Sequence, residues 1–167
     1  KDMDLVYDLK MADKENEIHT TTGLEENGRN LYNRMTPAQK AAWDKHYGPI
    51  IKKFKEQKLT GKALAEWKYQ QYMHDYMRVI HSVDRNVGRV LDYMEKSGLL
   101  ENTIIVYTSD QGFYMGEHGW FDKRFMYEES FRTPMLVRLP GGVKGDIPEM
   151  IQNIDHAATF LQLAGVP

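Results

Sequence analysis

The sequence predicts an α/β fold in which a helix-rich stretch contributes a few sheet strands. Two observations predict it. Tyr69, Tyr72, Tyr76, Ile80, Val83, Val87, Val90 and Met94 recur at spacings of three and four, the stripe of a long amphipathic helix expected to face a core. That helix feeds Thr103-Ile104-Ile105-Val106-Tyr107-Thr108-Ser109, a short β-branched run apolar on both faces, the pattern of a buried and parallel strand. A long helix leading into such a strand is the unit of layered α/β folds.

Taken in order, Lys1 to Arg34 is polar and weakly periodic, with Thr20-Thr21-Thr22-Gly23 as a turn-like break, and reads as loop with short helical pieces. Thr36-Pro37-Ala38-Gln39 has the form of a capping box: the hydroxyl accepts from the third helical N–H, Gln39 reaches back, and proline suits the first helical position. A helix is expected from Pro37 to about Tyr47, interrupted by Gly48-Pro49 and resumed from Ile50 to about Gln57. Lys52, Lys53, Lys55 and Lys58 form a basic face, read as a solvated helix surface before a phosphate patch. The long helix is expected from about Lys62 to Ser97, ended by Gly98 in the left-handed conformation. After the 103–109 strand, a second is expected at Met135-Leu136-Val137-Arg138-Leu139 and a short third at Ile151 to Ile154. Asp155 is expected to cap a last helix through Leu163, closed by Gly165 and Pro167.

The 167 residues suffice for one domain with a core, yet two good strands are few for a doubly wound sheet, so further strands are expected outside the chain. A net charge of −2 gives no basic face for nucleic acid, and no apolar run approaches bilayer length. Lys1 opens a charged stretch with no signal-peptide pattern. The absence of cysteine excludes disulfides, thiolate metal sites and a cysteine nucleophile within these residues. Ten tyrosines and ten methionines read first as packing residues.

The chemistry-bearing stretch is Ser109 to Lys123. It starts where the apolar strand stops, and in open α/β sheets ligands gather at the carboxyl ends of strands. Asp110 offers a carboxylate and Gln111 an amide oxygen, hard donors suited to calcium or magnesium rather than zinc. The alternative is a plain turn at Asp110-Gln111-Gly112, with the aspartate bonding local backbone. Taken alone, His118 reads as structural and Lys123 as solvated.

The ordered combination changes this. Ser109-Asp110-Gln111-Gly112, then Gly116-Glu117-His118-Gly119, Asp122-Lys123, Tyr127-Glu128 and Arg132-Thr133-Pro134 resembles the sulfatase family of the alkaline-phosphatase superfamily. Ser82 to Leu91 resembles the helix before the sulfatase metal strand, and Ile154 to Leu161 through Ala164-Gly165-Val166-Pro167 the helix that follows it. The resemblance covers about Tyr69 to Pro167. Residues 1–68 look like the variable helical insertion of bacterial members, and 69–167 like the C-terminal part of the catalytic domain. It implies a partial alkaline-phosphatase-like sandwich fold. It also implies that Asp110 and Gln111 are metal ligands for one calcium ion, Gln111 standing where many members have asparagine or histidine. Lys123, four residues before Tyr127, matches the lysine that contacts the sulfate group. His118 lies in a turn near the substrate mouth. Glu128 and Arg132 are expected as an internal ion pair or hydrogen-bonded support.

The family nucleophile, a formylglycine made from Cys or Ser in a Cys/Ser-x-Pro/Ala-x-Arg motif, has no candidate here: Ser82, Ser97, Ser109 and Ser130 lack the pattern. The chain alone is therefore expected to be inactive, as the second half of a catalytic domain. In the parent, the resemblance implies a hydrated formylglycine attacking sulfur of a sulfated carbohydrate, including 6-sulfated N-acetylglucosamine. Trp120, Phe121 and Phe125 either pack on a sugar ring or serve as core or lid. The resemblance also implies a periplasmic or exported parent, while the charge and the lack of a bilayer-length apolar run predict no nucleic-acid or membrane partner. Association with the missing half, or of the chain with itself, is expected to cover exposed strand edges. The competing readings are a phosphatase or phosphodiesterase of the same superfamily, against which Gln111 in place of histidine argues, and a non-catalytic remnant that binds sulfated glycan.

Overall fold

The computed structural model describes residues 3–6, 9, 11, 32–142 and 144–166. The expected turn at Thr20-Thr21-Thr22-Gly23, most of the 1–34 loop and Pro167 lie outside the described residues.

Helix α1 is Pro37–Gln57, and its capping box forms as the sequence dictates: Gln39 N–H donates to Thr36 Oγ1 at 3.3 Å and Thr36 N–H to Gln39 Oε1 at 2.8 Å. The expected interruption at Gly48-Pro49 does not occur, because α1 runs through Pro49 without a break. An interior proline removes a backbone donor and costs about 3 kcal/mol. Contacts on both sides of it offset that cost. Tyr47 Oη donates to Asp75 Oδ1 at 3.2 Å, and Phe54 stacks on Trp67 with centroids 4.5 Å apart. Both tie α1 to helix α2, Gly61–Lys96, so the two form an antiparallel helical hairpin turned at Lys58, which is left-handed at φ 48°. Lys52, Lys53, Lys55 and Lys58 are exposed, and among the described residues Lys52 pairs with Glu56, at 4.0 Å.

Helix α2 matches its expected span, but its stripe does not face one continuous core. Leu64, Lys68 and Gln71 are buried near its start, whereas Ile80, Val83 and Val90 are 45 to 58% exposed. Periodicity marks which face is apolar and carries no information on what lies against it.

Strand β1 is Ile105–Thr108 and β4 is Met135–Arg138. They pair antiparallel, with Val106 opposite Val137 and Tyr107 opposite Leu136, so the expectation of a parallel strand is corrected. A β-branched apolar run favours an extended chain in either direction, and the partner decides which. β1 is also not buried on both faces, since Tyr107 is exposed. Two short strands that periodicity does not register, β2 (Tyr114–Met115) and β3 (Phe121–Asp122), pair antiparallel around the intervening turn. Helix α3 is Glu128–Phe131. The expected strand at Ile151 to Ile154 is absent: these residues are irregular and lead into helix α4, Asp155–Leu163. Asp155 does not cap that helix. Its carboxylate instead accepts from Gln152 N–H at 2.8 Å, one turn upstream.

The chain divides into two compact units. The first comprises Lys1–Asp84 and Tyr114–Arg124, and holds every buried residue among those described: Met3, Met11, Leu64, Lys68, Gln71 and Tyr114. Its centre is Tyr114, fully buried against Trp120 in an edge-on ring contact at 5.6 Å. The N-terminal residues add to it, as Phe121 N–H donates to Met3 C=O at 2.8 Å and Leu5 N–H to Gly119 C=O at 3.0 Å. The second unit comprises Arg85–Phe113 and Phe125–Pro167 and is built on the β1–β4 pair. Among the described residues no helix is long and apolar enough to cross a membrane.

Candidate functional site

In the second unit, Asp110 and Gln111 lie just beyond the C-terminal end of β1, after Ser109. Ser109 shapes the turn: its Oγ donates to Gln111 C=O at 2.7 Å and accepts from Gln111 N–H at 3.4 Å. The serine thus does the local backbone bonding that the plain-turn reading assigned to the aspartate. Asp110 is exposed, and its carboxylate takes no hydrogen bond or ion pair among the described residues, so both oxygens remain available to a ligand. Two further contacts fix this turn. Asn153 Nδ2 donates to Asp110 C=O at 3.1 Å, and Gly112 N–H donates to Ser130 C=O at 2.8 Å. A Cβ on Gly112 would overlap the Glu129 carbonyl oxygen, so only glycine lets the loop approach α3 this closely.

Calcium takes about six to eight oxygen ligands. Asp110 and Gln111 offer oxygens of the right kind, and they supply only part of such a shell. Among the described residues there is no group of three or more His, Asp or Glu side chains that could hold a metal ion.

His118 and Lys123 lie in the first unit. His118 is exposed and left-handed, with φ 57° and ψ 14°, at the middle of a one-turn 3-10 segment, Glu117–Gly119. Its ring stands 5.4 Å from Trp120 and 6.1 Å from Tyr114. Trp120 therefore packs inside this unit, within an aromatic cluster. Lys123 Nζ lies 3.4 Å from Asp122 Oδ1, and Arg124 Nε donates to the other oxygen, Oδ2, at 2.7 Å. Asp122 is itself left-handed, φ 76°, an uncommon state for a non-glycine residue that here aims one carboxylate at two adjacent cations. Burial of that carboxyl works to raise its pKa, but the hydrogen bonds and charges of Arg124 and Lys123 together outweigh it and hold it below the usual aspartate value.

The support expected from Glu128 and Arg132 takes another form. Their link is a backbone bond, Arg132 N–H to Glu128 C=O at 2.7 Å, and both side chains are exposed. Spaced four apart across a one-turn helix, they meet through the main chain. Sequence reasoning did not single out Asn153, which it placed in a strand, or Tyr69, which it placed in a core stripe. Tyr69 Oη donates to Met115 C=O. Periodicity carries no signal for either contact, which spans 43 and 46 residues respectively.

Residues 116–167 match the family described as N-sulphoglucosamine sulphohydrolase, C-terminal. The chain is 49% identical over 162 residues to an N-acetylglucosamine-6-O-sulfatase of Bacteroides thetaiotaomicron, covering 96% of this chain and 28% of that protein. It is 41% identical over 93 residues to an extracellular sulfatase SULF-1 homolog of Drosophila melanogaster, covering 54% of this chain and 8% of that one. A solved structure of a protein in complex with its substrate, D-glucosamine-2-N,6-O-disulfate, superimposes with a TM-score of 0.81 at 45% identity, covering 99% of this chain and 35% of that one. The chain thus spans about a third or less of the length of the proteins it matches.

Proposed function

The chain belongs to the sulfatase family, and on that premise we propose that its protein hydrolyses sulfate esters of carbohydrates, with 6-sulfated glucosamine as the substrate class. The observation that carries the reading is the likeness along almost the whole chain to a protein solved with a sulfated glucosamine. The ordered run from Asp110 to Lys123 supports it from the chemistry.

In this reading Lys123 binds the sulfate group. A compact ammonium neutralises charge on the sulfuryl oxygens, and its proximity to Asp122 keeps it directed. Asp122, held on its other oxygen by Arg124, acts on Lys123 as a fixed counter-charge. His118 stands at the substrate mouth, where an exposed imidazole can hold or pass a proton to the leaving oxygen. Asp110 and Gln111 supply two oxygen donors to a calcium ion, presented by a turn that Asn153 and Gly112 hold in place. When bound, the calcium offsets charge on the sulfate oxygens and orients the nucleophile. That nucleophile, a formylglycine in this reading, comes from outside these residues. The extracellular relative supports export of the protein.

The test incubates the full-length protein, matured so that formylglycine can form, with glucosamine 6-sulfate and glucosamine 6-phosphate, and quantifies both released anions. Sulfate release supports the reading. Phosphate alone assigns the protein to the phosphatase branch, and neither product with retained glycan binding favours a non-catalytic binder.

A further inference from the structure

We propose that Tyr69, on helix α2, is a positioning residue for His118, acting through the backbone of the turn that carries it. Three observations within the first unit converge on this turn. Tyr69 Oη donates to Met115 C=O, while Met115 N–H donates to Glu117 Oε2 at 2.6 Å, so both backbone groups of Met115 are held. Gly116 sits at φ 126°, and a Cβ there would stand 2.8 Å from Tyr69 Oη and 3.2 Å from its Cε2. The phenol occupies the space that a side chain at 116 would need, and the turn closes over it. Gly119 N–H then donates to Gly116 C=O and Trp120 N–H to Glu117 C=O, each at 3.0 Å. His118 is left at the apex in a left-handed conformation that an isolated chain visits rarely.

A histidine in that conformation stays there only when the surroundings over-determine it. On one side its ring meets Trp120 and the buried Tyr114. On the other, the turn is anchored by Tyr69. Packing needs the ring of Tyr69 but not its hydroxyl, and the hydroxyl makes the anchoring bond. Helix α2 thereby sets the direction of the imidazole through the backbone that carries it.

The catalytic consequence rests on the reading of His118 as a residue at the substrate mouth, and the experiment separates the two. Full-length protein with isotope-labelled histidine is compared with Tyr69→Phe, which keeps the ring and deletes the bond. The His118 ring resonance, assigned through His118→Asn, is expected to shift in Tyr69→Phe while the other histidines do not move. Gly116→Ala, which drives a methyl against the hydroxyl, is expected to displace the same resonance by an independent route. An unaltered His118 resonance in both variants would overturn the proposal. In sulfate release, Tyr69→Phe is expected to lower kcat/KM about fivefold, the scale of one lost hydrogen bond. That loss should vanish in a His118→Asn background, because coupled residues are not additive. Equal losses in both backgrounds would overturn positioning through His118. If His118→Asn keeps full turnover while Tyr69→Phe still moves the imidazole resonance, the positioning stands and the catalytic role of His118 falls.

Discussion

The side-chain amide of Asn153 donates to the backbone carbonyl of Asp110 at 3.1 Å and reaches that of Ser109 at 3.5 Å. It bridges the loop before α4 to the end of β1. On the proposed reading of Asp110 as a calcium ligand, Asn153 is an outer partner that orients it, and loss of such a partner costs about 10- to 100-fold in metal affinity. Asn153→Ala in the full-length protein is therefore expected to weaken calcium binding by about tenfold, read by isothermal titration. An unchanged affinity would reduce Asn153 to a tie between two loops.

Gly112 lies close against the backbone of α3. Its N–H donates to Ser130 C=O, and a Cβ would also lie 2.8 Å from the Glu129 carbonyl carbon. Backbone cannot move aside as the far end of a side chain can. Gly112→Ala is expected to destabilise the protein by about 1–3 kcal/mol, the usual cost of forced overpacking. Thermal denaturation checks it, and an unshifted midpoint would mean that α3 gives way freely.

Lys123→Ala is expected to lower kcat/KM for a sulfated sugar by about 10²- to 10³-fold, the scale for removing one charge-stabilising donor at a reacting group. The fold should survive, because Lys123 is exposed and Arg124 still pairs with Asp122 at 2.7 Å. Circular dichroism and sulfate release measured together separate the two effects. Full turnover in the variant would remove Lys123 from the site.

Much of this was legible in the sequence because it is local. The Thr36–Gln39 box, the 61–96 helix, both longer strands and the 155–163 helix follow from residue types within a few positions of each other. What failed depended on distant partners. Pro49 stays helical because residues on α2 hold both sides of it. β1 runs antiparallel to β4 because pairing, not β-propensity, sets direction. β2 and β3, at two residues each, are too short for any alternation to register. The candidate polar residues stand out in the sequence as an ordered run, yet Tyr69 and Asn153, each of which holds a turn within its own unit, act at ranges no periodic pattern encodes.

Asp122 gives a pH prediction whose sign follows from its partners. Burial alone would raise its pKa, but Arg124 and Lys123 together hold it below the value of an unfolded aspartate. A carboxyl depressed in the folded state binds protons less readily than in the unfolded chain, so its contribution to stability is fully present above the unfolded pKa of about 3.9. It is lost as pH falls through the lower folded value. Asp122→Asn is therefore expected to melt below the unsubstituted protein at neutral pH, with the gap closing as the pH drops below about 4. Melting curves of both proteins across that range check it. A gap that stays constant down to pH 2 would mean that the carboxylate's pairing with Lys123 and Arg124 adds no stability of its own.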